Sequence, residues 1–221
     1  MTNALSLQKR ILVISLLLAV CFIIFSYLVA VHVFLYLDTV ALTSLQRSIP
    51  RIFDLPFSIF SLLGSVEPTS ILWLIMLFIA VVKKYWLVVV SLFLFWIAAG
   101  IEILDKFFLS HPGPPMSLYR GVFHVQSVSR FLPTSYAYPS GHITRTLFLV
   151  TFLYMWVLLK SSPTTKLVVG VILFVFVIIM IVSRVYLAEH WLSDVIGGVF
   201  LGLSLGLVSS SSLLKYIRKN K

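Results

Sequence analysis

An all-α, polytopic membrane protein is the fold class this chain predicts: a bundle of six transmembrane helices with a loop or short-helix segment on one face. Three observations predict it. The 221 residues are 60% hydrophobic with a mean hydropathy of +1.08, and only 11% are charged, too few to cover a soluble domain with polar surface. The apolar residues fall into runs of about 20, the length a helix needs to cross a hydrocarbon core of about 30 Å. Backbone groups in lipid must be paired within their own segment, so such runs are helices.

The first span covers about 11–37, behind Lys9-Arg10. It is too long for the apolar core of a signal peptide and has no convincing small-residue cleavage site, so a retained anchor helix is expected. A more polar connection follows over about 38–56, with Asp38, Arg47, Arg51 and Asp54. The second span, about 57–82, is interrupted by Glu67-Pro68. Proline is tolerated in a first helical turn, so the part before it reads as a short rim helix and the span proper as starting near Thr69. Lys83-Lys84 end it, and the third span runs over about 85–104, closing at Glu102 and Asp105-Lys106.

A long connection then covers about 105–141 and holds five of the nine prolines, together with His111 and His124. A connection of that length in so compact a chain points to function. The fourth span is about 142–159, Lys160 to Lys166 reads as a short turn, and the fifth and sixth spans are about 167–187 and 190–214. Gly198, Gly202 and Gly206 on the sixth have the small-xxx-small spacing that lets helices pack closely. The whole of 1–221 is expected to form one membrane-embedded domain.

The net charge of +10 belongs to topology rather than to nucleic acid, because the basic residues bracket apolar spans and no basic, aromatic-interleaved soluble surface is present. Six spans put both termini on one side, with Lys9, Arg10, Lys83, Lys84, Lys160, Lys166 and the basic tail at 215–221. The positive-inside rule makes that side cytoplasmic. The long connection, His142, Arg184 and His190 then share the outer face. Cys21 is the single cysteine, so neither a disulfide within the chain nor a cysteine metal site is possible. No paired His/Glu ligand spacing and no Gly-rich nucleotide loop occurs, so no metal and no cofactor are expected.

Two polar clusters sit at the outer rims of spans, where ionisable groups are costly and are functional-site hypotheses by default. In Ser183-Arg184 through His190 to Asp194, the His/Asp spacing of four puts both on one helical face. An Asp one turn from a His can accept one ring N–H and leave the other ring nitrogen free to attack. Arg184 supplies a guanidinium suited to a phosphoryl group. Pro139-Ser140-Gly141-His142 reads as a turn entering a helix, whose first N–H groups favour an anion. Gly141 permits close backbone approach, Ser140 adds a hydroxyl, and His142 can protonate a leaving oxygen. A lone rim histidine is more often an interfacial side chain; the combination supplies nucleophile, acid and electrostatic clamp, the parts phosphoryl transfer needs. Glu67, Glu102 and Asp105 read as structural, since the two histidines already fill the proton-transfer and nucleophile roles.

These clusters resemble the type 2 phosphatidic acid phosphatase superfamily. Ser183-Arg184, five residues, His190, three residues, Asp194 is similar to its third signature, and Pro139-Ser140-Gly141-His142 to its second. The resemblance implies a metal-independent phosphatase in which His190 forms a phosphohistidine, Asp194 is its partner and His142 is the leaving-group acid. It further implies that Lys106, Ser140, Gly141 and Arg184 bind phosphate. The first signature departs from the pattern. Lys106, six residues and Pro114 match, but Gly113 stands where the family has arginine. Losing a charge-assisted contact of that kind costs roughly 1.5–3 kcal/mol. Arg145, three residues after His142 on the same helix face, is the expected substitute; its alternative is a structural ion pair with Glu102 or Asp105, and the residues favour neither. Arg120 and Arg130 are weaker substitutes.

The expected activity is hydrolysis of a lipid phosphate or diphosphate at the non-cytoplasmic face, with polyprenyl diphosphate, phosphatidylglycerol phosphate and phosphatidic acid as candidate substrates. A compact chain of this kind suits a bacterial plasma membrane. Two other readings stay open: a phosphotransferase passing the phosphate to a lipid or sugar hydroxyl, and a non-catalytic lipid-binding or transport protein on the same scaffold. The partners expected are the lipid substrate and the bilayer, with no nucleic acid; nothing in the sequence sets an oligomeric state.

Overall fold

The protein is described by a computed structural model covering residues 2–123 and 136–217. Among these residues all regular structure is helical. Six stretches are long and apolar enough to cross a membrane: Leu7–Ala30, Arg51–Val82, Trp86–Phe108, Gly141–Lys160, Pro163–Tyr186 and Leu192–Tyr216. The chain is an integral membrane protein.

Helix α1 (Thr2–Ala30) ends inside the first apolar run. The chain turns through 31–34, with His32 in the left-handed region at φ 61°, uncommon for a non-glycine residue. Helix α2 (Leu35–Ser48) then takes up most of what reads as a polar connection. Hydropathy cannot see this turn, because both sides of it are apolar. A tertiary contact explains it: Asp38, in the first turn of α2, is buried against a later helix rather than set in a loop.

A 3₁₀ turn (Arg51–Phe53) leads to α3 (Asp54–Leu62), the short helix expected before the proline, and α4 (Val66–Val82) carries Pro68 in its first turn. The third apolar run is two helices, α5 (Trp86–Leu92) and α6 (Leu94–Phe108), offset at Phe93. Helix α7 (Gly141–Lys160) is followed almost at once by α8 (Pro163–Tyr186). The polar stretch through Lys166 is mostly helix, because Ser162 Oγ accepts the Thr165 N–H at 3.2 Å and Pro163 opens the first turn. Helices α9 (Leu192–Ser211) and α10 (Leu213–Ile217) complete the described chain.

Helix α9 is the centre of the bundle. The apolar part of Leu192–Tyr216 is 56% buried, against 11% for that of Pro163–Tyr186, so α9 is packed within protein and α8 presents most of its surface outward. Its most extensive contacts are with α7 and α1. The glycine stripe makes the α7 contact possible. A Cβ on Gly198 would stand 2.7 Å from the Ser140 carbonyl oxygen, and one on Gly202 would stand 2.5 Å from that of Thr144.

The segment after α6 is stitched across the helix ends that carry the polar clusters. Trp191 Nε1 donates to the Pro112 carbonyl at 2.8 Å, and the Ala137 N–H donates to that of His111 at 3.0 Å. The Arg120 N–H donates to Leu187 O at 3.1 Å, and the Gln46 amide donates to Leu118 O and Tyr186 O, each at 2.8 Å. The Ser140 N–H donates to Asp194 O at 2.9 Å, joining the start of α7 to the start of α9.

Candidate active site

His190 is not on a helix, contrary to the sequence reading: it precedes Trp191, the residue that caps α9. Its meeting with Asp194 is made by the cap. Asp194 lies in the first turn of α9 and reaches back, its Oδ2 accepting the Trp191 N–H at 2.9 Å and standing 3.2 Å from His190 Nδ1. Nδ1 is therefore occupied and Nε2 is the nitrogen left to face a substrate. Burial, then the positive charges of Arg184, Lys106 and Arg145, hold the His190 pKa well below the ordinary histidine value. A neutral imidazole is the form that can attack.

Ser140 takes extended backbone and α7 begins at Gly141. A Cβ on Gly141 would run into the Glu102 carboxylate, so a glycine is required there. Glu102, on α6, thus fills the anion position at this helix N-terminus. It also pairs with Lys106 Nζ (2.6 Å) and Arg145 Nη1 (2.9 Å). Of the two readings of Arg145, the ion pair with Glu102 is present; Asp105 does not take that role.

Arg184 is in the last turn of α8, paired with Glu189 and with Ser61 Oγ. It lines a cavity of about 280 Å³ together with His142, Gly113, Ser61 and Glu189. Among the described residues lining it, Arg184 is the only arginine or lysine, so the cavity wall at Gly113 is uncharged. Arg120 is engaged elsewhere, donating to the Tyr186 hydroxyl at 3.0 Å and lying over that ring. Arg130 and His124 lie outside the described residues.

Three donors of this region are buried without a hydrogen-bond partner among the described residues: Ser140 Oγ, Arg145 Nε and Arg184 Nε. Buried polar atoms are normally paired, so each such atom calls for an explanation. No group of three or more His, Cys, Asp or Glu able to hold a metal ion occurs among the described residues.

Sequence reasoning missed four contributors. Glu189 and Ser61 hold Arg184; the only signal was Glu189 lying one residue before His190. Asp38 and His111 are nearly inaccessible, 1% exposed each, and both approach the start of α9. Their signal, a charge at the end of an apolar run and a histidine in a proline-rich stretch, was too common to single them out.

The sequence profile of the PAP2 superfamily matches residues 84–218, which contain Lys106 and the two polar clusters at 139–142 and 183–194. The chain belongs to the PAP2 superfamily. With that membership and its six apolar helices it is a membrane-embedded phosphatase of lipid phosphates. A solved structure, the transmembrane PAP2-type phosphatidylglycerolphosphate phosphatase from Bacillus subtilis, superposes with a TM-score of 0.70 at 20% identity. The match covers 93% of this chain and 96% of that one, a likeness of fold over nearly the full length. No curated protein matches the chain.

Proposed function

We propose that this PAP2 chain hydrolyses a lipid phosphate through a phosphohistidine on His190. The observation that carries the reading is the set of three buried, unpaired donors on Ser140, Arg145 and Arg184. All belong to residues expected to grip phosphate, and phosphate oxygens are the acceptors that would satisfy them. The two guanidinium groups also act electrostatically on His190.

In this mechanism His190 Nε2 attacks phosphorus while Asp194 holds Nδ1–H and stabilises the imidazolium charge. The N–P bond forms as the P–O bond to the lipid breaks, and His142 gives its proton to the departing oxygen. Water then attacks the phosphohistidine and passes a proton to His142. The N–P bond breaks and inorganic phosphate leaves. Arg184, Arg145, Lys106, Ser140 and the N-terminal amides at Gly141 stabilise the equatorial oxygens.

The reaction is assigned to the outer face of a bacterial plasma membrane, with both termini cytoplasmic, on the distribution of lysine and arginine. Phosphatidylglycerol phosphate heads the substrates, because it is the one named for the Bacillus subtilis relative; phosphatidic acid and polyprenyl diphosphate complete the set. The test is phosphate release by the purified chain from each of the three, together with acid-labile protein labelling from a labelled phosphate. We expect release from at least one, and loss of both release and labelling in His190→Ala. Full activity of His190→Ala would overturn the mechanism, and transfer of label to an alcohol with no free phosphate would make the chain a phosphotransferase.

A further inference from the structure

We infer that His111 is a positioning residue for the site: its Nε2–H holds the second carboxylate oxygen of Asp194, and Asp38 anchors it through Ser193. The inference rests on the reading of His190 as nucleophile and adds a layer behind it.

Asp38 Oδ1 accepts the Ser193 N–H at 2.8 Å, and Asp38 Oδ2 accepts the Ser193 hydroxyl at 2.7 Å. A serine hydroxyl has one proton, and this one is committed to Asp38. Ser193 Oγ also stands 3.2 Å from His111 Nε2. At that contact the serine can only accept, so the ring nitrogen donates and the Nε2–H tautomer is fixed. His111 Nε2 also stands 3.4 Å from Asp194 Oδ1. That oxygen is buried and has no hydrogen-bond partner among the described residues, while Oδ2 serves Trp191 and His190. His111 is thus the polar group that faces it.

Asp194 is 0% exposed, so an Oδ1 facing no donor would keep the full cost of its desolvation. With a donor at each oxygen the carboxylate plane is set, and with it the direction in which His190 Nε2 points. His111 itself is held firmly. Its N–H donates to Leu109 O at 2.9 Å, its carbonyl accepts from Ala137, and its ring lies between those of His32 and Tyr138. Burial, with the His32 charge acting in the same sense and Asp38 against it, lowers the His111 pKa. A neutral His111 lends a hydrogen bond and leaves the negative charge on Asp194 for His190. Contacts bring together α2 (Asp38), the segment after α6 (His111) and α9 (Ser193, Asp194), which gives the turn at 31–34 a purpose.

The test uses the full chain in mixed micelles with whichever of the three lipid phosphates it hydrolyses fastest. His111→Leu removes the donor and keeps bulk; His111→Gln offers an amide N–H near the Nε2 position. We expect His111→Leu to lower kcat about 10- to 100-fold with KM nearly unchanged, as outer-layer partners of site residues do, and His111→Gln to recover most of it. Wild-type kcat in His111→Leu, or a His111→Gln as impaired as His111→Leu, would overturn the inference. If His111→Leu does not fold, His111→Gln decides alone: near-wild-type kcat supports the role, and kcat as low as in His190→Ala defeats it. An active His190→Ala in the same assay would instead defeat the reading of the nucleophile.

Discussion

The two sides of this site are built differently. On the histidine side, Asp194 Oδ2 accepts the Trp191 N–H beside His190 Nδ1, and the buried His111 ring faces Oδ1 with a serine behind it. On the anion side, the cations are held by carboxylates of the chain itself: Lys106 and Arg145 by Glu102, and Arg184 by Glu189. The attacking pair is set before substrate arrives. The phosphate seat sets three cations against two carboxylates and has to exchange partners when phosphate enters. This difference has a physical basis. A histidine and its carboxylate need direction, which fixed hydrogen bonds supply. A cluster of buried cations needs compensation, because stripping a buried charge of its partner costs about 3–5 kcal/mol.

The largest effect should come from breaking the preset side. Asp194→Asn keeps the shape, but its amide no longer supplies the negative charge that an imidazolium at His190 requires. Phosphate release should fall about 10³- to 10⁴-fold in kcat, with KM close to wild type. Loss confined to KM would mean that Asp194 belongs to the substrate grip, and the contrast between the two sides would dissolve.

Glu102→Gln probes the other side and should act on stability first. It leaves Lys106 and Arg145 facing each other, with the Glu102 side chain only 7% exposed, so unfolding should shift by about 3–5 kcal/mol. Inorganic phosphate or vanadate should then stabilise the variant more than the wild type, since ligand binding to the folded state raises its stability by mass action. Thermal unfolding in detergent with and without the anion measures both. An equal anion effect in the two proteins would mean that Glu102 does not stand in the phosphate seat.

Which parts of this were legible in the sequence follows from how far apart the partners lie. The apolar runs are local, and six membrane-length helical stretches result from them. The turn at 31–34 and the offset at Phe93 were not legible, because apolar residues flank both and composition does not change there. The His190–Asp194 pair was visible from a spacing of four, although the contact is made by a helix cap and not by a shared helical face. Asp38 and His111 were invisible for the opposite reason: their partner Ser193 is 155 and 82 residues away. Arg145 shows the limit of spacing arguments. Its position near His142 was readable, but its ion pair with Glu102 depends on how α6 and α7 meet.

The smallest expected effect is a gain, and it would sharpen the comparison most. Gly113 borders the cavity with Arg184 and His142, and among the described residues a Cβ there would meet only the Ala137 Cβ at 3.5 Å, an ordinary contact. The backbone there therefore has room for the Cβ of an introduced arginine. Unlike Lys106, Arg145 and Arg184, it would enter the cavity without a carboxylate from the chain assigned to it. If the anion side is the weaker half because its cations already have carboxylate partners, Gly113→Arg should lower KM for a lipid phosphate about tenfold, the low end of a charge-assisted hydrogen bond, and leave kcat nearly unchanged. Steady-state phosphate release at varied surface concentration of the lipid reads both constants. An unchanged KM would mean that Arg184 and the Glu102-bound cations already supply the full grip. A fall in kcat would mean that the uncharged wall at Gly113 serves the headgroup itself rather than marking a lost contact.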